Sequence, residues 1–149
     1  MRATRHPVLA VAVLALLLGA CAGPGGADAA DVPLAAEGHD VVAYFTEGEA
    51  IEGSATHAAT WDGRRWHFAS AAHRRSFLEA PERYAPAYEG HCAWAMSQGR
   101  LSQGRPQHWA IHEGRLFFNC NAEVHARWLQ DRDRLIEIAD GEWAERTGG

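Results

Sequence analysis

The sequence contains no lysine, because all fourteen of its basic residues are arginine. Without lysine there is no amine for a Schiff base, no lysine general base and no P-loop cation. The chain also lacks a Ser-His-Asp order, a glycine-rich phosphate loop and a His-Glu-x-x-His helix. These absences exclude several enzyme classes, and we expect a protein that is not an enzyme and has no catalytic residues.

Positive charge is also scarce. Fourteen basic residues stand against nineteen acidic ones, which gives a formal net charge of -5. Removing residues 1–20 takes away two arginines and no acidic residue, so the formal charge then falls to -7. Nucleic-acid binding depends on clustered lysine and arginine that neutralise phosphates. The composition therefore predicts that no nucleic acid is a partner.

The long apolar run of the sequence lies at its N-terminus. Arg2 and Arg5 precede an apolar stretch over residues 8–18, which is well short of the roughly 20 residues that span a bilayer. This pattern is typical of an export signal. The letters LGAC at residues 18–21 resemble the lipobox of bacterial lipoproteins. The resemblance implies a signal peptide over residues 1–20 and a lipid, including palmitate, on Cys21 as the mature N-terminus.

That resemblance also implies a location. A lipid on Cys21 anchors the protein to a membrane of the cell envelope, facing the periplasm or the exterior. Ala22 follows the cysteine, and the absence of aspartate there favours the outer membrane if the cell is Gram-negative. Residues 21–35 include AGPGGADAADVP, a small and polar stretch that we interpret as a flexible tether. The 149-residue length then leaves residues 36–149 for one compact domain.

Two stretches of this domain align without gaps, at residues 61–78 and 112–129. Asp62-Gly63 matches Glu113-Gly114, and both dipeptides suit a tight hairpin turn. Ser70 matches Asn121, and both residues are good helix caps. We therefore predict an α+β fold in which two related β-hairpin-plus-helix units pack into one small domain.

Three further elements are predicted from local patterns. Residues 39–45, HDVVAYF, favour a strand. A helix is expected from Ala71 to about Ala80, followed by one more turn at residues 82–84. A last helix is expected over residues 122–139, ending near Asp140-Gly141.

Three segments are similar to the YHS domain family: GHDVVAYFTEGEAIEGS (residues 38–54), FASAAHRRSFLEAPERYAPAYEGHCAWAMSQG (residues 68–99) and LFFNCNAEVHARW (residues 116–128). The resemblance covers about residues 36–144 and implies a metal-binding module. In members of that family, the corner between strand and helix reads Phe-Cys-Ser-x-x-Cys and places two thiolates around an ion. Here the corner carries Ala69 and His73, and in the second copy Cys120 and Val124 stand at these two positions.

The candidate metal ligands combine this resemblance with the residues around Cys92. We expect Cys92 at the start of a short helix, where thiolate is favoured, with the Met96 thioether on the same face. Soft sulfur with imidazole selects copper, and zinc or another heavy metal is the alternative. The candidates, in order, are Cys92 and His73, then His91, Cys120, Met96 and His39. Met96 also fits a core position.

Two hypotheses about function remain open at this point. In the first, an envelope lipoprotein binds copper through a free Cys92 thiol and nearby histidines, as a sensor, buffer or carrier. In the second, Cys92 and Cys120 form a disulfide worth about 3 kcal/mol in a structural or interaction module without metal. Thiol redox chemistry is disfavoured by the absence of Cys-x-x-Cys. Apart from a metal ion and the membrane, no partner is identified.

Overall fold

The computed structural model describes residues 32–148 of the chain. Within that range the protein forms four strands and six α-helices in one α+β domain. The strands are β1 Ser54–Trp61, β2 Arg64–Phe68, β3 Arg105–His112 and β4 Arg115–Asn119. The helices are α1 Ala43–Thr46, α2 Ala71–Glu79, α3 Pro81–Tyr84, α4 Ala93–Met96, α5 Ala122–Gln130 and α6 Arg132–Thr147. The predicted signal peptide and Cys21 lie outside the described residues.

The first hairpin-plus-helix unit contains β1, β2 and α2. The two strands pair antiparallel, with Trp61 opposite Arg64. Asp62 and Gly63 make the turn at φ values of 50° and 67°, the left-handed conformation that such a turn requires. The Ser70 side chain then accepts a hydrogen bond from the His73 amide and caps α2. The predicted hairpin, cap and helix are confirmed.

The second unit repeats this arrangement with β3, β4 and α5. Glu113 and Gly114 form the turn, again with positive φ at both residues. The Asn121 side chain accepts from the Val124 amide and caps α5, as Ser70 caps α2. The predicted relation between the two units and the α+β fold class are therefore confirmed.

The repetition begins further upstream than the aligned hairpins. A 3-10 turn at Ala35–Gly38 precedes the first unit, and another at Ala87–Gly90 precedes the second. In each turn the second and third residues have φ near 50°, although neither is glycine. The printed sequence contains the signal, because AAEGH and AYEGH match at four of five positions. Each unit is thus a turn, a short helix, a hairpin and a longer helix.

Two clusters of buried side chains form the core. The first contains Phe68 and Phe77, with Val41 and Tyr44 against them. The second contains Met96, Trp128 and Leu135 among others. Strand β4 serves both, because Leu116 and Phe118 belong to the first cluster and Phe117 to the second. The alternation of side chains along a strand explains this division. The two units therefore share core packing through β4.

The strand predicted over residues 39–45 is wrong. His39 makes one isolated bridge with Glu52, and the chain then turns into α1. The Asp40 carboxylate causes the turn, because its Oδ1 accepts hydrogen bonds from the amides of Val42 and Ala43. Local capping by aspartate thus overrides the strand preference of the valines.

The single helix predicted over residues 122–139 is also wrong. It divides at Asp131, whose φ and ψ of -137° and 33° are not helical. After this break α6 continues to Thr147, so Gly141 lies inside the helix and does not end it. The predicted final turn at residues 82–84 is present as α3. Among residues 32–148, no helix combines the length and apolar character needed to cross a membrane.

Candidate functional site

Cys92 and Cys120 are joined in a disulfide, with their Cα atoms 5.2 Å apart. Cys92 is fully buried and precedes α4, as predicted, while Cys120 at the end of β4 is half-buried. The covalent bond ties the turn before α4 to the corner between β4 and α5. Both sulfurs are therefore occupied by each other, and in this oxidised form neither is a thiolate.

Asp40 occupies the corresponding place in the first unit. Its carboxylate is fully buried and accepts from the Ala69 amide at 2.8 Å, where Ala69 is the counterpart of Cys120. Together with the bonds from Val42 and Ala43, this contact ties the turn before α1 to the corner before α2. The Asp40 carboxylate therefore links, by hydrogen bonds, the two segments of the first unit that correspond to those the disulfide links in the second.

His73 completes the hydrogen bonding of Asp40. Its Nδ1 lies 2.6 Å from Asp40 Oδ2, and its Nε2 lies 3.3 Å from Glu47 Oε1. Asp40 thereby fixes the imidazole, with the other ring nitrogen directed at an exposed carboxylate. Asp40, which neighbours His39 in the sequence, contacts His73. His73 and Cys92 lie in different units, each with its own partner.

The remaining predicted ligands are dispersed. His91 Nδ1 contacts the Tyr88 carbonyl oxygen at 2.7 Å. His39 is buried, and its Nδ1 has no hydrogen-bond partner among residues 32–148. Met96 is fully buried in the second cluster, which agrees with the core alternative. In the described part of the chain, no group of three or more His, Cys, Asp or Glu side chains is placed to hold a metal ion.

A cleft of about 400 Å³ opens between the turn regions of the two units. The turns after β1 and β3, the segment around residues 85–89 and the end of α6 all contribute to it. Four of its side chains are aromatic: Trp61, Trp66, Tyr88 and Trp143. Trp66 and Tyr88 are buried, whereas Trp61 and Trp143 are half-buried and keep part of their surface accessible. Both the size and the aromatic lining are typical of small-molecule sites.

Arginines from equivalent positions of the two hairpins lie beside these rings. Arg64 begins β2 and donates to Glu89 at 2.7 Å. Arg115 begins β4 and donates from both terminal nitrogens to Asp140, at 2.8 and 2.9 Å. Such a paired contact fixes the plane of the guanidinium group. Each arginine is thus oriented by a carboxylate from a later segment of the chain.

Tyr88 lines the cleft and contacts both Asp140 and Arg115. Its hydroxyl donates to Asp140 at 2.8 Å, and the Arg115 guanidinium lies 5.9 Å from the centre of its ring. Burial, together with Asp140, raises the pKa of Tyr88 well above its usual range. Arg115 in turn lowers the pKa of Asp140. At neutral pH the cleft therefore has a neutral phenol between fully charged partners.

Sequence reasoning missed this cleft. The alignment of the two hairpins already paired Arg64 with Arg115, directly after matching turns. That pairing was the available signal, since two related turns that meet place equivalent residues close together. The contributions of Trp143 and Asp140 had no signal, because the predicted last helix ended before residue 143.

Comparisons of the chain with protein-family models, with curated proteins and with solved structures found no match.

Proposed function

We propose that this protein is a binding module of the cell envelope in which the Cys92–Cys120 disulfide is structural and the cleft holds the ligand. The observation that carries the proposal is the disulfide itself. The disulfide occupies both of the cysteine sulfurs that are predicted ligands of a soft metal. The export signal and the lipobox-like LGAC support an envelope location, where disulfides persist.

The cleft supports binding as the activity. It is concave, partly apolar and lined by side chains that hydrogen bonds and ion pairs already hold in place. Pre-oriented groups lose little conformational entropy when a ligand arrives. The similarity to the YHS domain family, which implies a metal-binding module, favours a second candidate, metal binding.

Copper binding is a second candidate function, and it requires the reduced protein, in which Cys92 and Cys120 are free thiols. The adjacency that allows Cys92 and Cys120 to form a bond would place two thiolates side by side after reduction. Thiolate pairs select Cu(I) over hard cations. Zinc normally takes four ligands, and in the described residues the other predicted donors are engaged or buried elsewhere. On this candidate, metal binding and the disulfide exclude each other.

Thiol counting separates the two candidates. The chain without residues 1–21, purified without reductant and then denatured, should show no reactive thiol, and two after reduction. Cu(I) supplied under anaerobic conditions should bind only after reduction. Free thiols in the unreduced protein, together with Cu(I) binding that is lost in Cys92→Ser, would contradict the structural disulfide. Unchanged Cu(I) affinity in Cys92→Ser would instead eliminate copper binding through this residue.

A further inference from the structure

We infer that the cleft between the two units binds an uncharged saccharide, and this inference rests on the proposed binding function. Two observations support it: partly accessible tryptophan side chains, and charges that are equal in number and include the ion pairs Arg64–Glu89 and Arg115–Asp140. The ligand must therefore offer apolar faces and hydroxyl groups without a net charge.

The aromatic side chains define the apolar part of the ligand. Trp61 packs against Trp66 at an angle of 56° with ring centres 5.9 Å apart, and Trp143 packs against Tyr88 at 60° with centres 6.0 Å apart. The inner member of each pair is buried, so it supports the outer tryptophan, whose remaining surface is accessible. Such amphipathic rings combine a flat apolar face with a polar edge. The C–H face of a sugar ring fits a platform of this kind.

The charged side chains that line the cleft determine which polar groups the ligand can carry. The cleft lining contains three arginines and three acidic residues: Arg64, Arg83, Arg115, Asp62, Glu82 and Glu89. Arg64 is neutralised by Glu89, and Arg115 by Asp140. At Arg64 and Arg115 an anion would have to displace these carboxylates, and a cation would meet the two guanidinium groups. Hydroxyl groups face neither obstacle, because one hydroxyl donates to carboxylates and accepts from guanidinium groups.

The volume decides the size of the ligand. About 400 Å³ lies at the lower end of the range typical of small-molecule sites, about 300 to 1,000 Å³. The cleft therefore accommodates one or two sugar rings. Turns at Asp62-Gly63 and Glu113-Gly114 border it, so a longer chain would continue beyond these turns into solvent.

The test compares three disaccharides that share one β-1,4-linked skeleton and differ in charge: cellobiose, the anionic cellobiouronate and the cationic chitobiose. The whole protein is used, in a zwitterionic detergent without sugar groups, and binding is followed by calorimetry and saturation-transfer NMR. We expect a Kd for cellobiose of about 1 mM, and at least fivefold weaker binding of both charged sugars. The absence of saturable cellobiose binding up to about 20 mM overturns the inference.

Variants locate the binding. Trp143→Ala should weaken cellobiose binding at least tenfold, because it removes an accessible ring face. Trp94→Ala is the matched control, since Trp94 is also half-buried against the second core cluster but does not line the cleft. Equal losses in the two variants would overturn the inference, because the loss would then follow from disturbed packing.

A pair of conservative variants covers the case in which Trp143→Ala does not fold. Glu89 and Glu37 occupy equivalent positions of the two 3-10 turns, and each accepts from an arginine at 2.7 Å. Only Glu89 lines the cleft. Glu89→Gln should weaken cellobiose binding roughly fivefold, and Glu37→Gln should not change it. No difference between the two variants overturns the inference. Binding of cellobiouronate alone would also overturn it, while leaving the cleft as a ligand site.

Discussion

Asp40 and Cys92 stand at the same place in the two units and form different kinds of link. The Asp40 carboxylate accepts hydrogen bonds from backbone amides and contacts His73, while Cys92 is bonded to Cys120. The sequence, through its resemblance to the YHS family, predicts His73 and Cys92 as the leading ligands of one ion. A residue's neighbours across the fold decide its chemistry, and these two residues have different neighbours.

The hydrogen bonds of Asp40 should contribute to the free energy of unfolding. Asp40→Ala should lower the free energy of unfolding by about 3 kcal/mol, because it leaves the buried amide of Val42, the amide of Ala69 and the His73 imidazole without their acceptor. Glu47→Ala, which removes only the exposed contact of His73, should cost less than about 0.5 kcal/mol. Urea unfolding of the two variants measures the difference. Similar small losses in both would show that the Asp40 bonds do not stabilise the fold.

Individual elements were predictable where their signals are local. Each hairpin has a turn dipeptide that tolerates positive φ, and each following helix has a side chain that accepts from its first turn. The break at Asp131 has no such signal, because neither glycine nor proline marks it. The apolar period continues through it to Leu135 and Ile136, which the separate helix α6 buries in the second cluster. Tertiary packing therefore decides this boundary.

Gly141 tests where the last helix ends. A glycine inside a helix costs about 0.5 to 1 kcal/mol relative to alanine, and an added Cβ at Gly141 would meet no atom within 4 Å. Gly141→Ala should therefore raise the free energy of unfolding by that amount. Gly114→Ala is the control, because its Cβ would also lie in open space but its φ is 76°. That variant should be destabilised by about 1 kcal/mol. A loss of stability in Gly141→Ala would place the helix end at this residue.

In the whole molecule, β4 joins the two units. Its side chains enter both core clusters, Leu116 and Phe118 on one side and Phe117 on the other. The cleft is another property of the whole, because the hairpin turns and α6 meet there from distant parts of the chain. Local patterns predicted the two units separately. The meeting of Trp61 with Trp143 around one cleft depends on how the units pack, which no local pattern specifies.

Removal of the disulfide should affect this whole body. The combined change Cys92→Ala and Cys120→Ala should lower the free energy of unfolding by about 3 kcal/mol while keeping a single unfolding transition. Urea titrations followed by tryptophan fluorescence and by circular dichroism provide the measurement. Wild-type protein in strong reductant should show a similar loss. Two separate transitions would contradict the shared core.

The two links also differ in what each needs in order to form. The Asp40 hydrogen bonds require only that the domain be folded, in any compartment, whereas Cys92 and Cys120 also need an electron acceptor. The Asp40 link therefore forms as soon as the domain folds, whereas the Cys92–Cys120 link also requires an oxidation step. Protein recovered from a reducing host would contain the Asp40 hydrogen bonds but would lack the Cys92–Cys120 disulfide.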